Sequence, residues 1–300
     1  LDAPPGAEIW RDLAKPMGAL GPASRGDAFD ERFRTFEDPT GQVPKFMYGS
    51  HYSSAGIVLH FLVRCEPFAR LAVELQGGKF DVPDRLFFSL AHAWRSATRS
   101  MTDVKELVPE LFYCPEMLLN HNALPLGARQ AAPGDDGDAA APGSAVDDVE
   151  LPAWAGGCAD AFVRTHRDAL ESEAVSETLP GWIDLVFGDA QRGPKAATRG
   201  NVFYHLTYEG AIDVDGIDDD DEREATRDQI KHFGQTPPQL LTAPHPRRKA
   251  ARDAARPLFA DCPREGPAPD GLSARCYAFV DEAPALAAAA HPARDRRGGA

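Results

Sequence analysis

The run Gly49-Ser50-His51-Tyr52-Ser53-Ser54 sets three serine hydroxyls and a tyrosine phenol beside a histidine. Nucleophilic chemistry could reside there. A serine nucleophile needs its base within hydrogen-bond reach and an oxyanion hole, and adjacency in the chain supplies neither. The same residues also read as a hydrogen-bonded buried turn. That reading is preferred, with a hydrolase built on Ser50 and His51 as the alternative. The segment from Gly188 to Lys195, GDAQRGPK, imitates a phosphate loop. It lacks the Gly-Lys-[Ser/Thr] ending, and Pro194 removes an amide donor that the cradle would need, so the phosphate reading is rejected. The stretch from Asp213 to Glu224 puts carboxylates at positions 1, 3 and 12 of a calcium loop. Position 5 is Ile217, however, and Asp218 occupies the position that requires glycine. An acidic helix start, favoured by the macrodipole, is preferred, and a calcium sensor is the further alternative. H-E-x-x-H, paired C-x-x-C and G-x-S-x-G are absent. His166 with Glu171, and Glu171 with Glu173, lack catalytic spacing or a third partner, and read as a satisfied core histidine and a solvated face.

Side chains of this kind need a body to hold them. Three hundred residues with 43% apolar content can bury a large core. The net charge is −14, and no segment is strongly basic. Nucleic-acid binding and direct docking on anionic lipid are both disfavoured. Five cysteines, none in C-x-x-C, point away from a secreted disulfide framework and toward a reducing compartment. There is no N-x-[ST] acceptor and no signal peptide at the start. The longest apolar stretch, residues 55–63, is broken by His60 and falls short of the roughly 20 residues of a spanning helix. A soluble cytoplasmic chain is expected.

Four helices are predicted. Residues 83–100 carry Leu86, Leu90, Trp94 and Ala97 at helical spacing, with Asp81 able to cap the start. Residues 160–178 place Phe162, Val163, His166, Leu170 and Ala174 on one side. Pro180 then forces a break or kink and opens a third helix over 181–187, ended by Gly188. The fourth covers 222–233, with acids first, Lys231 and His232 last and Gly234 beyond. Residues 15–22, 41–56 and 191–208 mix aromatics, glycines and prolines without period, which implies extended segments packed inside the body. Residues 131–145, AAPGDDGDAAAPGSA, hold nothing large to bury and read as a flexible inserted loop. Residues 249–300 read as low-complexity linker.

In order along the chain, these segments resemble one family. Residues 10–20, WRDLAKPMGAL, resemble its F-R-D-L-S-K-P-M-G-A-L, and residues 48–55, YGSHYSSA, resemble its Y-G-T-H-Y-S-S-A. LVRCEPF, LQGGKFD, DVKELVPE, FYCPE, VELPAW, HRDALESE and WIDLVFG follow in the expected sequence. QRGP, NVF, LTYEG, FGQTP and PHP complete the series. The chain thus resembles the BEACH (Beige/Chediak–Higashi) domain of the neurobeachin and lysosomal trafficking regulator family, over about residues 10–248. SMTDVKEL looks like the lysosomal-trafficking-regulator branch, and RGP and TYEG look like the neurobeachin branch, so no branch is assigned. The domain's tryptophan- and proline-rich opening before Trp10 is missing, which implies a fragment or a truncated gene model. The 131–145 insertion and Pro180 are further departures.

The resemblance implies a mostly α fold with an irregular core, extended non-regular segments packed between helices. It implies a BEACH domain over 1–248, a pleckstrin-homology-like domain upstream and a WD-repeat propeller downstream. The implied function is a non-catalytic scaffold module for protein binding in vesicle trafficking, membrane dynamics, lysosome-related organelles or autophagy. Neither cofactor nor metal is implied. The implied localisation is cytoplasmic, peripherally associated with endomembranes through partners. The expected binding surface is a groove shared with the upstream domain, with Arg11, Lys15, Arg64, Lys105 and Arg192 as contributors. Each of the five also reads as a structural ion pair inside the aperiodic core, and that reading is preferred.

Overall fold

A computed structural model of the chain describes residues 11–130 and 143–248. Trp10, the tail from Lys249 and residues 131–142 of the expected insertion lie outside them. The described residues form eight α-helices: α1 (Ala23–Thr35), α2 (Ala55–Leu62), α3 (Phe68–Leu75), α4 (Leu90–Arg99), α5 (Ala159–Leu170), α6 (Glu173–Val186), α7 (Gly193–Thr198) and α8 (Asp220–Phe233). The fold is mostly α, with extended segments between the helices. Those segments pair through isolated bridges: Tyr48 with Phe203, Ser89 with Glu150 and Tyr208 with Thr236 in parallel, Ala128 with Ala145 antiparallel. The last of these shows that residues 143–145 of the expected flexible loop are held, with Gly143 N–H donating to Arg129 O at 2.8 Å.

The largest core cluster joins Phe61 and Leu62 of α2 to Phe87, Leu111, Met117, Leu118 and Val149 of the irregular segments and to Phe162 and Val163 of α5. A second gathers Phe29 of α1, Met47, Tyr48 and Phe203. The face of α1 that meets it carries Arg25, Phe29 and Phe33, the i, i+4, i+8 row of a helix.

Three predicted boundaries are corrected. The helix expected from residue 83 begins at Leu90, capped by Ser89 Oγ, which accepts from His92 N–H at 3.3 Å. Residues 86–89 stay extended because their carbonyls are used elsewhere: Phe87 O by Arg64 and Phe88 O by Glu150 N–H. The helix expected over 160–178 stops at Leu170, where Ser172 Oγ accepts from Val175 N–H at 3.3 Å and starts α6. Pro180 lies inside α6, so the break falls at the cap rather than at the proline, which gives up one helical hydrogen bond. The fourth helix has the expected form. Asp219 Oδ1 accepts Glu222 N–H at 2.8 Å, and Gly234 at φ +79° ends it. A Cβ on Gly234 would meet Ser54 N at 2.5 Å. Among the described residues, no helix is long and apolar enough to cross a membrane.

Candidate functional site

A backbone that runs through an interior without a ladder leaves its polar groups in need of partners. Here buried side chains supply them. Arg64, 1% exposed, donates from Nε and Nη2 to Asp147 O at 2.8 and 2.5 Å, and from Nη1 to Phe87 O at 2.5 Å. Burial lowers its pKa to about 10. Arg25, 4% exposed, reaches the carbonyls of Met17, Leu20, Ser100 and Asp103 at 2.7–3.1 Å. Asn201 Nδ2 serves Leu185 O and Ala190 O at 2.9 and 3.1 Å. Gln191 Nε2 serves Val186 O and Pro237 O.

Most of the other expected contributors are also engaged within the fold, through side-chain partners. Arg11 holds Glu106 through two parallel hydrogen bonds, Nη1 to Oε1 at 2.5 Å and Nη2 to Oε2 at 2.8 Å, with both side chains about one-tenth exposed. Lys105 Nζ donates to Asp103 Oδ2, which also accepts from Ser96 Oγ at 2.5 Å. Arg192 lies over the Tyr208 ring at 5.2 Å and donates to Gln191 Oε1 at 3.3 Å. Arg11 and Lys105 sit at one junction of the fold, through Glu106 and Asp103. Arg64 and Arg192 belong to other clusters. Lys15 is different. Its side chain is 55% exposed, and its contact with Asp12 is a loose 3.7 Å.

Lys15 lies on a groove of about 270 Å³ between the 12–19 segment, α1, the extended strip at Met47 and Tyr48, and the end of α7. Phe29, Met47 and Tyr48 form its floor, and Asp12, Lys15, Asp30 and Arg199 its charged rim. Packing and hydrogen bonds hold the floor. Tyr48, 3% exposed, packs edge-on to Phe29 at 4.9 Å, and its hydroxyl donates to Gly200 O at 2.7 Å. Burial pushes its phenol above the usual range. Tyr48 O accepts from Tyr204 N–H at 2.8 Å. Gly18 lets the 12–19 segment approach, since a Cβ there would fall 2.1 Å from Tyr48 Cε1. The groove thus combines buried apolar side chains with exposed charges of both signs at its edge. Sequence reading missed Arg199, Asp30 and Arg25. The i, i+4 spacing of Arg25 and Phe29, which stack at 5.4 Å, is the signal that could have marked α1.

The other motifs are structural in this arrangement. The His51 ring meets Ser53 Oγ, not Ser50, at 2.7 Å, and Ser53 Oγ in turn donates to Gln235 O at 2.8 Å and accepts from Gln235 N–H at 2.9 Å. His51 N–H donates to Phe233 O at 2.7 Å. The unit clasps the end of α8. Burial lowers the His51 pKa to about 4, so the ring is neutral near pH 7. In the acidic stretch, Asp213 accepts from Gly216 N–H, Asp215 pairs with Arg227, and Asp219 caps α8. Among the described residues, no group of three or more His, Cys, Asp or Glu could hold a metal. His166 packs between Phe112, on which it stacks, and Phe162, as expected of a core histidine.

These features define a mostly helical module whose irregular interior is stitched by buried polar side chains and which presents a narrow groove. A family model for the Beige/BEACH domain matches residues 2–248, and the chain belongs to that family. BEACH domain-containing protein B of Arabidopsis thaliana is 47% identical over 253 residues, which is 84% of this chain and 9% of that protein. BEACH domain-containing protein lvsD of Dictyostelium discoideum is 48% identical over 241 residues, 80% of this chain and 8% of that protein. BEACH domain-containing protein A2 of Arabidopsis thaliana is 49% identical over 245 residues, 81% and 6% respectively. The chain therefore spans less than a tenth of the length of these relatives, which are much larger proteins.

Proposed function

We propose that this chain is a non-catalytic scaffold module of a large protein in vesicle and endomembrane traffic, and that its partner-binding surface is the groove at Lys15. One observation carries the choice of site. Of the five basic candidates, Arg11, Arg64, Lys105 and Arg192 are engaged in holding the fold, while Lys15 is exposed on a groove rim. The loose Lys15–Asp12 pair is worth at most about 1 kcal/mol, so Lys15 can exchange Asp12 for a partner carboxylate at little cost. The occupant we favour is an extended segment of the upstream pleckstrin-homology-like domain of the same gene product. A downstream WD-repeat propeller would serve as a further docking module for other trafficking proteins. In this reading the chain is cytoplasmic and reaches membranes through its partners.

The test is site-specific photo-crosslinking in the full-length gene product. A photoreactive residue at Lys15 or Arg199 should capture the upstream domain or a partner, and one at the exposed Arg164 of α5 should not. Equal capture at all three positions would sink the assignment. Membrane recruitment is tested separately. Flotation of this chain with phosphatidylserine vesicles at physiological salt should show no binding, because the net charge of −14 opposes approach to an anionic surface. Strong salt-sensitive flotation would mean that the basic residues form an exposed patch.

A further inference from the structure

α3 ends at a pair of glycines, and the chain then runs along a second groove. Gly77 and Gly78 hold φ of +72° and +100°. Their N–H groups donate to Glu74 O at 3.1 Å and Val73 O at 2.9 Å, which closes the last turn of the helix. The 78–83 segment, Val73 of α3 and the 125–127 strip line a groove of about 450 Å³. That size is ordinary for a ligand cleft, about 300–1,000 Å³. Phe80 and Leu126 supply apolar lining and pack into one core cluster with Val63, Leu86 and Phe88. The two strips touch, since a Cβ on Gly127 would fall 2.7 Å from Pro83 Cγ. Two charged residues line the groove, Asp81 and Lys79. Asp81 is engaged, because its Oδ1 accepts from Val82 N–H at 2.7 Å and lies 3.7 Å from Arg85 Nη1. Lys79 is exposed and has neither an ion pair nor a side-chain hydrogen bond among the described residues. The amides of Lys79, Phe80 and Asp81 have no acceptor among them either.

We propose that this groove docks an extended peptide segment of a partner protein, one that carries a carboxylate beside a large apolar side chain. The apolar side chain lies against Phe80 and Leu126, and the carboxylate pairs with Lys79 Nζ. Carbonyls of the peptide accept from the open amides of the 79–81 segment, as in strand addition. Charge selects this occupant. The chain as a whole carries −14, so its surface at large attracts cations. In this groove the sign is reversed, because Asp81 is already paired and Lys79 is not. The open N–H groups favour the same sign, since they carry partial positive charge and accept only an acceptor. The backbone donors also decide the shape. An extended peptide brings its own carbonyls to them while its side chain enters the groove.

The test uses the full chain against a phage library of random linear peptides, with the selected peptides resynthesised for fluorescence anisotropy. The selected sequences should share an aspartate or glutamate next to a leucine, isoleucine or aromatic residue. Lys79→Glu should weaken their binding about tenfold or more. Pro125→Glu, a change at an exposed position of the 125–127 strip, should weaken it likewise. Arg164→Glu makes the same charge change as Lys79→Glu on the exposed face of α5 and should leave binding intact. Both of those side chains are exposed, so both variants should melt with the parent chain. Lys79→Glu decides alone if Pro125→Glu melts lower. In amide NMR spectra, added peptide should shift the N–H signals of the 79–81 segment. A library that yields no enriched sequence overturns the proposal. So do enriched sequences without a carboxylate, and peptides that bind Lys79→Glu as tightly as the parent. Self-association of the chain that Pro125→Glu abolishes would give the groove to a second copy and overturn it too.

Discussion

Replacing Arg11 with methionine should cost about 3 kcal/mol, and the structure sets that magnitude. Exposed ion pairs contribute at most about 1 kcal/mol, whereas removing one partner of a buried pair costs about 3–5 kcal/mol. Side-chain exposures of 11% and 9% put Arg11 and Glu106 near the buried limit, and the two parallel hydrogen bonds at 2.5 and 2.8 Å fix the fork geometry. Glu106 has a further duty, because its Oε1 accepts from Leu107 N–H at 2.9 Å. Glu106→Leu orphans that amide as well and should cost about 1–3 kcal/mol more than Arg11→Met. Glu106→Gln keeps an acceptor for Leu107 and should match Arg11→Met. The double variant Arg11→Met/Glu106→Gln should lose little more than either single change, giving a coupling energy of about 2 kcal/mol. Urea unfolding of the four variants measures all of this, with constant m-values as the control. A loss below about 1 kcal/mol for Arg11→Met, or additive single losses, would refute a structural pair. Arg11 would then return to the list of partner contacts.

Acid should destabilise the domain through its histidines. Burial holds His51 and His166 at about 4 and His60 at about 3, against about 6.5 in the unfolded chain. Between pH 6.5 and 4 the unfolded state binds protons that the native state does not, so stability falls as pH falls; His51 alone removes about 2 kcal/mol at pH 5. A urea midpoint unchanged between pH 7 and 5 would contradict this. Tyr48→Phe should cost about 1–2 kcal/mol by orphaning Gly200 O, whereas Gly18→Ala should cost about 3 kcal/mol by driving a methyl into the Tyr48 ring. Equal melting temperatures for these two variants would mean that the groove floor yields. Trp182 is half-buried on the small Leu185, Val186 and Ala190 cluster rather than fully enclosed, so Trp182→Ala should cost about 2 kcal/mol, less than for a core tryptophan. A loss above about 4 kcal/mol would show that cluster to be a main core element.

The family was legible in the sequence, because its ordered motifs run from Trp10 to Pro246 and survive in linear form. So was α8, whose acidic start, basic end and terminal Gly234 are all local signals. The aromatic, aperiodic segments announced their burial by composition, since rings of that size leave water wherever the chain takes them. Only the tertiary structure decided where α5 stops. Ser172 and Pro180 are both local punctuation; the chain breaks at the Ser172 cap and α6 runs on through Pro180, its end held by Leu240 and Leu241 N–H on Phe187 O. Only the tertiary structure separated Lys15 from Arg64. Both are single cations in family motifs, and nothing near Arg64 in sequence indicates that Asp147 O and Phe87 O will lie within 3 Å of its guanidinium. What a cation does depends on which acceptors reach it. Those acceptors are carbonyls of distant, ladder-free backbone, placed by the packing of the whole domain and not by the spacing of residues along the chain.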